Sequence, residues 1–232
     1  MTKRTQILGR LKKLGSKRNR IGMARFGIET RHALGISIPK LRHLADEIGR
    51  DHKLALELWR NPIHEAKLLA IFIDDPAKVT EAQMDRWAKD FDSWDICDQC
   101  CGFLFDQTQY AFKKAIEWSK RREEFMKRAG FALMAALSVH DKSALDKAFV
   151  PFLVRIRDES FDERNFVRKA VNWALRQIGK RNAALNKKAV ATAKTIGNFH
   201  SSSARWISSD ALRELASKKV QDRLMRRTDP RR

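Results

Sequence analysis

Arg168-Lys169-Ala170-Val171-Asn172-Trp173-Ala174 has a counterpart earlier in the chain, Lys127-Arg128-Ala129-Gly130-Phe131-Ala132-Leu133. Each opens on two cations and an alanine and continues into a small or aliphatic run that also carries one aromatic. From Ala129 to Ala170 the offset is 41 residues. Both stretches have the spacing of an amphipathic helix, with apolar side chains recurring every three or four positions.

That period extends outward over almost the whole chain, and neither a period-two run nor an Asn-Gly hairpin signal interrupts it. The sequence therefore predicts an all-α protein. An offset of 41 residues lies within the roughly 40 to 47 of HEAT-type helical repeats. With short connections and helices of about 10 to 18 residues, it predicts a curved α-solenoid of HEAT-like repeats whose equivalent helices line one concave basic face.

The first helices are expected over Thr5 to Leu14 and Asn19 to Phe26, with a break near Gly35. Pro39 suits the first turn of a helix reaching about Ile48, with Leu41, Leu44 and Ile48 inward. Further helices run from His52 to Trp59 and from Pro62 to Asp74-Asp75-Pro76, then over Glu81 to Phe91, Ser93 to Phe105, Gln107 to Trp118 and Arg122 to Val139. The last are expected over Lys142 to Arg157 with a kink or break at Pro151, Asp162 to Lys180, Ala183 to Ile196 and Ser209 to Val220. No linker rich in Gly, Ser or Pro divides them, so residues 1–220 are expected to form one repeat domain and 221–232 a frayed, flexible basic tail.

Forty-eight Lys and Arg face 28 Asp and Glu in 232 residues, a formal charge of +20. Such a field attracts polyanions, with nucleic acid the leading partner. The hydrophobic fraction of 43% excludes wholesale disorder. No apolar run approaches the roughly 20 residues of a membrane span, and Met1-Thr-Lys-Arg leads into no signal-peptide core. The expectation is a cytoplasmic, nucleoid-associated protein with reduced cysteines, no membrane contact and no obligate protein partner, a monomer.

Against that basic background, residues 92 to 105 (Asp-Ser-Trp-Asp-Ile-Cys-Asp-Gln-Cys-Cys-Gly-Phe-Leu-Phe) hold three carboxylates, a tryptophan and three thiols without one Lys or Arg. As a helix capped by Asp92 or Ser93, the segment puts Trp94 and Asp98 one turn apart on one face. Ile96, Cys100 and Phe103 lie opposite. Asp95 and Asp98 then either complement the helix dipole or provide a working carboxylate. Cys97-x-x-Cys100 is compatible with a metal or redox pair, but zinc needs about four ligands and there is no second cysteine pair, which favours packed thiols.

On the helix expected over Asp162 to Lys180, the core stripe is Val167, Val171, Ala174, Leu175 and Ile178, and Lys169, Trp173, Arg176 and Lys180 gather on the other side. Trp173 there is either a packing residue for a neighbouring repeat or a flat platform for a base, flanked by phosphate-binding cations. Arg128 lies opposite Met126, Leu133 and Leu137, as either a solvated helix charge or a phosphate contact.

Trp94-x-x-x-Asp98, Arg128 before Ala129, and Lys169-Ala170-Val171-Asn172-Trp173-Ala174-Leu175-Arg176 together resemble the HEAT-repeat DNA alkylation repair glycosylases of the AlkD type. The likeness runs from about Met23 to Lys180. It departs at Phe26, where that family carries a Tyr, and at Ser37-Ile38, where a Gln-Thr pair precedes the proline. The resemblance implies hydrolysis of the N-glycosidic bond of positively charged N3- or N7-alkylated purines in duplex DNA, without metal or other cofactor. It implies Asp98 as the catalytic carboxylate, and Trp94, Arg128, Trp173, Lys169 and Arg176 as contacts to the lesion and DNA. A catalytically silent protein for distorted or branched DNA and a scaffold for acidic proteins are the two rival readings.

Overall fold

The computed structural model describes residues 2–228. Among these all the regular secondary structure is helical, with fourteen α-helices, three short 3-10 turns and no strand. By its internal contacts it divides into two compact units, Met1–Thr108 and Gln109–Arg232.

The first unit contains α1 (Lys3–Leu14), α2 (Lys17–Arg25), α3 (Ile38–Ile48), α4 (His52–Trp59), α5 (His64–Ile73), α6 (Glu81–Lys89) and α7 (Trp94–Phe103). Helix α5 is its axis. It buries eight of its ten residues, including Leu68, Leu69 and Ile71, and packs against α1, α3, α4 and α7. Trp59 and Trp87 stack with ring centroids 3.9 Å apart and planes 1° from parallel, and the Trp59 indole N–H donates to Asp90 at 2.9 Å. Leu41 and Leu44 point inward as the spacing predicts, while Ile48 is only half-buried.

Two buried acids organise this unit. Glu65 accepts three backbone N–H bonds, from Leu34 at 2.8 Å, Gly35 at 2.6 Å and Ile36 at 3.2 Å. It thus fixes the loop between α2 and α3. Gly35 is obligatory there, because its φ is +81° and a Cβ would lie 2.2 Å from the Ser16 carbonyl oxygen. At the other end of α5, Asp74 accepts from Gln83 at 2.7 Å and bonds to His52 Nδ1 at 2.6 Å, tying α5 to α6 and α4. Burial raises the Asp74 pKa, against the lowering effect of these bonds.

The second unit contains α8 (Ala111–Ser119), α9 (Glu124–His140), α10 (Val150–Asp158), α11 (Asn165–Gly179), α12 (Ala183–Gly197), α13 (Ser202–Leu215) and α14 (Lys218–Thr228). The two look-alike segments fall on α9 and α11, which pack against each other. Residues 128 to 138 of α9 are all buried. Gly130 lets α9 meet α8 backbone to backbone, since a Cβ there would sit 2.4 Å from the Ser119 nitrogen. The core stripe predicted on α11 is buried throughout.

Three boundaries differ from expectation. The helix expected from Gln107 begins at Ala111, because Phe105–Gln107 is a 3-10 turn closed by the Thr108 hydroxyl, which donates to the Phe105 carbonyl at 2.8 Å. The helix expected from Lys142 begins only at Val150: the break expected at Pro151 is present, with Pro151 in the first turn of α10, where its missing N–H leaves no bond unmade. The helix expected over Ser209 to Val220 is two helices. Ser201 caps α13 by accepting from the Ala204 N–H at 3.2 Å, and α14 begins at Lys218.

The expected frayed tail is therefore helical through Thr228, with Val220 and Leu224 buried one turn apart. The rest of that expected tail, Asp229-Pro230-Arg231-Arg232, lies outside the described residues. Glu65→Ala leaves three backbone donors without their acceptor and should lower the unfolding free energy by about 3–5 kcal/mol. Urea denaturation should show this as a lower midpoint at unchanged slope. Glu65→Gln keeps one acceptor oxygen and should lose less.

Candidate nucleic-acid interface

Helix α7 carries Trp94 and Asp98, both half-buried and one turn apart, as their spacing predicts. Its first turn is held from two directions. The Trp94 indole N–H donates to the Phe26 carbonyl at 2.9 Å, which ties α7 to the chain leaving α2. Asp95 bonds through Oδ2 to His64 Nε2 at 2.8 Å and accepts the Ser93 hydroxyl on Oδ1. Ser93 is the N-cap residue, yet its hydroxyl donates to Asp95 instead of accepting an N–H of the first turn. Neither cap predicted for this helix works through its side chain.

Sequence reasoning missed His64. The residue is 4% exposed, and burial opposes its charge, but the hydrogen bond and charge of Asp95, helped by Glu65 and Asp92, outweigh that and raise its pKa. For Asp95, burial likewise works against the charged form, and its bonds to His64 and Ser93 prevail and lower the pKa. Asp95 is thus the half-buried partner of a buried histidine and not a decoration of the helix dipole. The three cysteines are all buried; burial pushes the Cys100 and Cys101 thiols well above their ordinary value, which makes them packing groups.

In the second unit α9 and α11 bring Arg128 to the first turn of α11. Its Nη1 donates to the Phe166 carbonyl at 2.6 Å, and the residue is 6% exposed, so it is not a solvated helix charge. The cationic face of α11 is split. Arg168, Asn172, Arg176 and Lys180 follow one another at four-residue intervals and meet α13. Arg168 lies over Trp206 at 5.3 Å, Asn172 donates to Asp210 at 2.7 Å, and Arg176 pairs with Glu214 at 2.8 Å and Asp210 at 3.2 Å. Lys180 completes the row with Glu214 at 2.7 Å. Burial disfavours the Glu214 carboxylate, but Lys180 and Arg176 hold its pKa below the ordinary value.

Lys169 is exposed and Trp173 half-buried, and Lys169 meets no carboxylate among the described residues. Trp94 and Asp98 therefore stand together in the first unit, and Arg128, Lys169, Trp173 and Arg176 belong to two packed helices of the second. The α13 carboxylates, 34 to 38 residues from their partners, leave no local trace from which the pairing could be read.

A family model described as DNA alkylation repair enzyme matches residues 7–215. No curated protein matches the chain. One solved structure, from a family described as related to the HEAT-like repeat DNA glycosylases with affinity for branched DNA structures, is 22% identical. It aligns over 96% of each chain with a TM-score of 0.78, which establishes the HEAT-like repeat fold that the 41-residue offset predicts.

The His64–Asp95 pair has a defined pH window. The raised histidine contributes stability that is complete below its ordinary value of 6.5 and is lost as pH rises through its folded value. The lowered aspartate contributes above 3.8 and fails as pH falls through its folded value. The stability gap between the wild type and His64→Gln should thus be widest between those ordinary values and close as pH rises above the histidine's raised value. Denaturation midpoints across that range test it, and a gap that does not vary with pH would mean the pair is neutral.

Proposed function

We propose, for a chain that belongs to the DNA alkylation repair enzyme family, that it is a DNA glycosylase hydrolysing the N-glycosidic bond of cationic N3- or N7-alkylated purines in duplex DNA. The observation that carries this reading is a half-buried carboxylate, Asp98, one turn beyond Trp94 on a helix whose first turn is locked by an ion pair and an indole hydrogen bond. A carboxylate held on a fixed helix is preorganised, which is the condition for stabilising charge that appears only in the transition state.

Alkylation at N3 or N7 makes the purine positively charged, so it departs with the electron pair of the C1′–N bond and without a general acid. The remaining task is at the sugar. Asp98 stabilises the oxocarbenium-like carbon and directs a water to it, accepting the water's proton as the C1′–O bond forms. Trp94 and Trp173 offer ring faces, on which a cationic base gains about 0.5 to 2 kcal/mol that a neutral one lacks.

Lys169 carries an unmatched charge toward phosphate. Arg128 and Arg176 enter as guanidiniums already held by the protein, Arg128 on the Phe166 carbonyl and Arg176 on the α13 carboxylates. Each would lose little side-chain entropy on meeting a phosphate, but the charge of Arg176 is partly matched in advance.

A second reading, a DNA protein that recognises branched structures without cutting, is favoured by the described affinity of the structurally similar family. Chemistry at Asp98 separates the two. Under single-turnover conditions at low salt, the wild type should release free N7-methylguanine from duplex DNA. Asp98→Asn should bind that duplex within about threefold of the wild type and lose release by at least about a hundredfold. Binding by both with release by neither would assign the surface to branched DNA.

The cations make a separate prediction. Lys169→Ala should reduce the slope of log affinity against log salt by about one unit, the signature of one lost phosphate contact. Arg176→Ala should change the slope less and lower stability instead, because Asp210 and Glu214 each lose one cation and keep only their bonds to Asn172, Arg213 and Lys180.

A further inference from the structure

Helix α2 buries none of its residues, although it carries Ile21 and Met23. It is held by its ends. The Ser16 N–H donates to the Leu34 carbonyl at 2.8 Å, Asn19 Nδ2 donates to the Gly35 carbonyl at 3.1 Å, and the Phe26 carbonyl accepts the Trp94 indole. Between this helix and α5 and α7 lies a cavity of about 990 Å³, the upper end of the range for small-molecule sites.

The lining of the cavity has three parts. Met23, Phe26, Ile36, Ile38 and Leu68 make an apolar interior, and Phe26 itself is 71% exposed. Trp94, His64 and Asp95 form a wall. Gln99 reaches it from α7.

The rim is charged. Lys17, Arg18 and Arg25 stand on it, exposed, and none meets a carboxylate among the described residues. Helix α2 contains no acidic residue. An apolar, aromatic-edged interior beneath an unmatched cationic rim is complementary to one nucleotide. The base is flat, and its phosphate remains outside.

We propose that this cavity receives an unpaired nucleobase of a DNA strand, with the cations of α2 holding the adjoining phosphates. The proposal rests on the reading of the chain as a DNA-binding protein. It adds a base site distinct from Asp98, which does not line the cavity. It also explains a helix with no core contacts, since the inner face of α2 is covered when the base is in place.

The test uses a duplex with a single unpaired 2-aminopurine beside the same duplex fully paired, with the complete protein. Affinity for the unpaired duplex should exceed that for the paired one by about tenfold, the scale of one stacked base, and bound 2-aminopurine should be shielded from acrylamide quenching. Met23→Trp narrows the cavity from a helix that buries none of its residues. It should abolish most of the preference and leave paired-duplex affinity within about twofold. Equal affinity for the two duplexes, or 2-aminopurine as quenchable bound as free, would overturn the base site while leaving DNA binding intact. No binding to either duplex would overturn both readings.

Discussion

A buried carboxylate with three backbone donors holds the first unit in the form its surface requires. Glu65 gathers Leu34, Gly35 and Ile36 at the head of α5, and its neighbour His64 turns the other way to Asp95 on α7. Two consecutive side chains on one helical turn thus fix both the loop behind α2 and the helix that carries Trp94 and Asp98. Neither a charge nor three N–H groups could be buried there alone; together they satisfy each other. Trp94 closes the circuit by bonding to Phe26, so the segment after α2 is located by α5 from one side and α7 from the other.

The positive charge of the chain is divided into two classes by the same logic of pairing. Arg176 and Lys180 are matched by Asp210 and Glu214, Lys127 by Glu159 and Asp162, and Arg128 lies under cover on a backbone carbonyl. These cations hold helices to one another. Lys17, Arg18, Arg25 and Lys169 have no such carboxylate and remain available to a polyanion. A net charge of +20 therefore overstates the number of groups at which DNA can displace counterions, and a salt slope reports the second class more than the first.

The helices were legible in the sequence because their evidence is local: apolar spacing, Pro39 and Pro76 at turns, and one internal offset. Boundaries failed where a single side chain decided them, as Thr108 and Ser201 did. The tail was misread because its charge obscured the i, i+4 pair of Val220 and Leu224. In the candidate sites, Trp94 and Asp98 could be read from spacing within one helix. The partners of His64 and Arg176 could not, since each lies more than 30 residues away on another helix and any acid at that distance looks alike in a sequence. The wheel placed Arg176 beside Lys169, but helix packing separates them, one toward α13 and one toward solvent.

A strongly basic protein faces a difficulty on the proposed reading, because its long-range field attracts the DNA backbone and disfavours a cationic base. The two effects act at different distances. Backbone attraction is collective and operates over about a Debye length, roughly 10 Å, whereas selection of a charged base depends on groups in contact with it. At contact range, residues 92 to 105 contain no Lys or Arg, and among the described residues Asp95 is paired with the buried His64. On the proposed reading, the carboxylate of Asp98 and the ring of Trp94 are the α7 groups that meet the charged base. Contact groups then choose the lesion while the distant cations hold the DNA. Placing a cation beside Asp98, unlike removing a distant surface lysine, would weaken the choice and strengthen the hold.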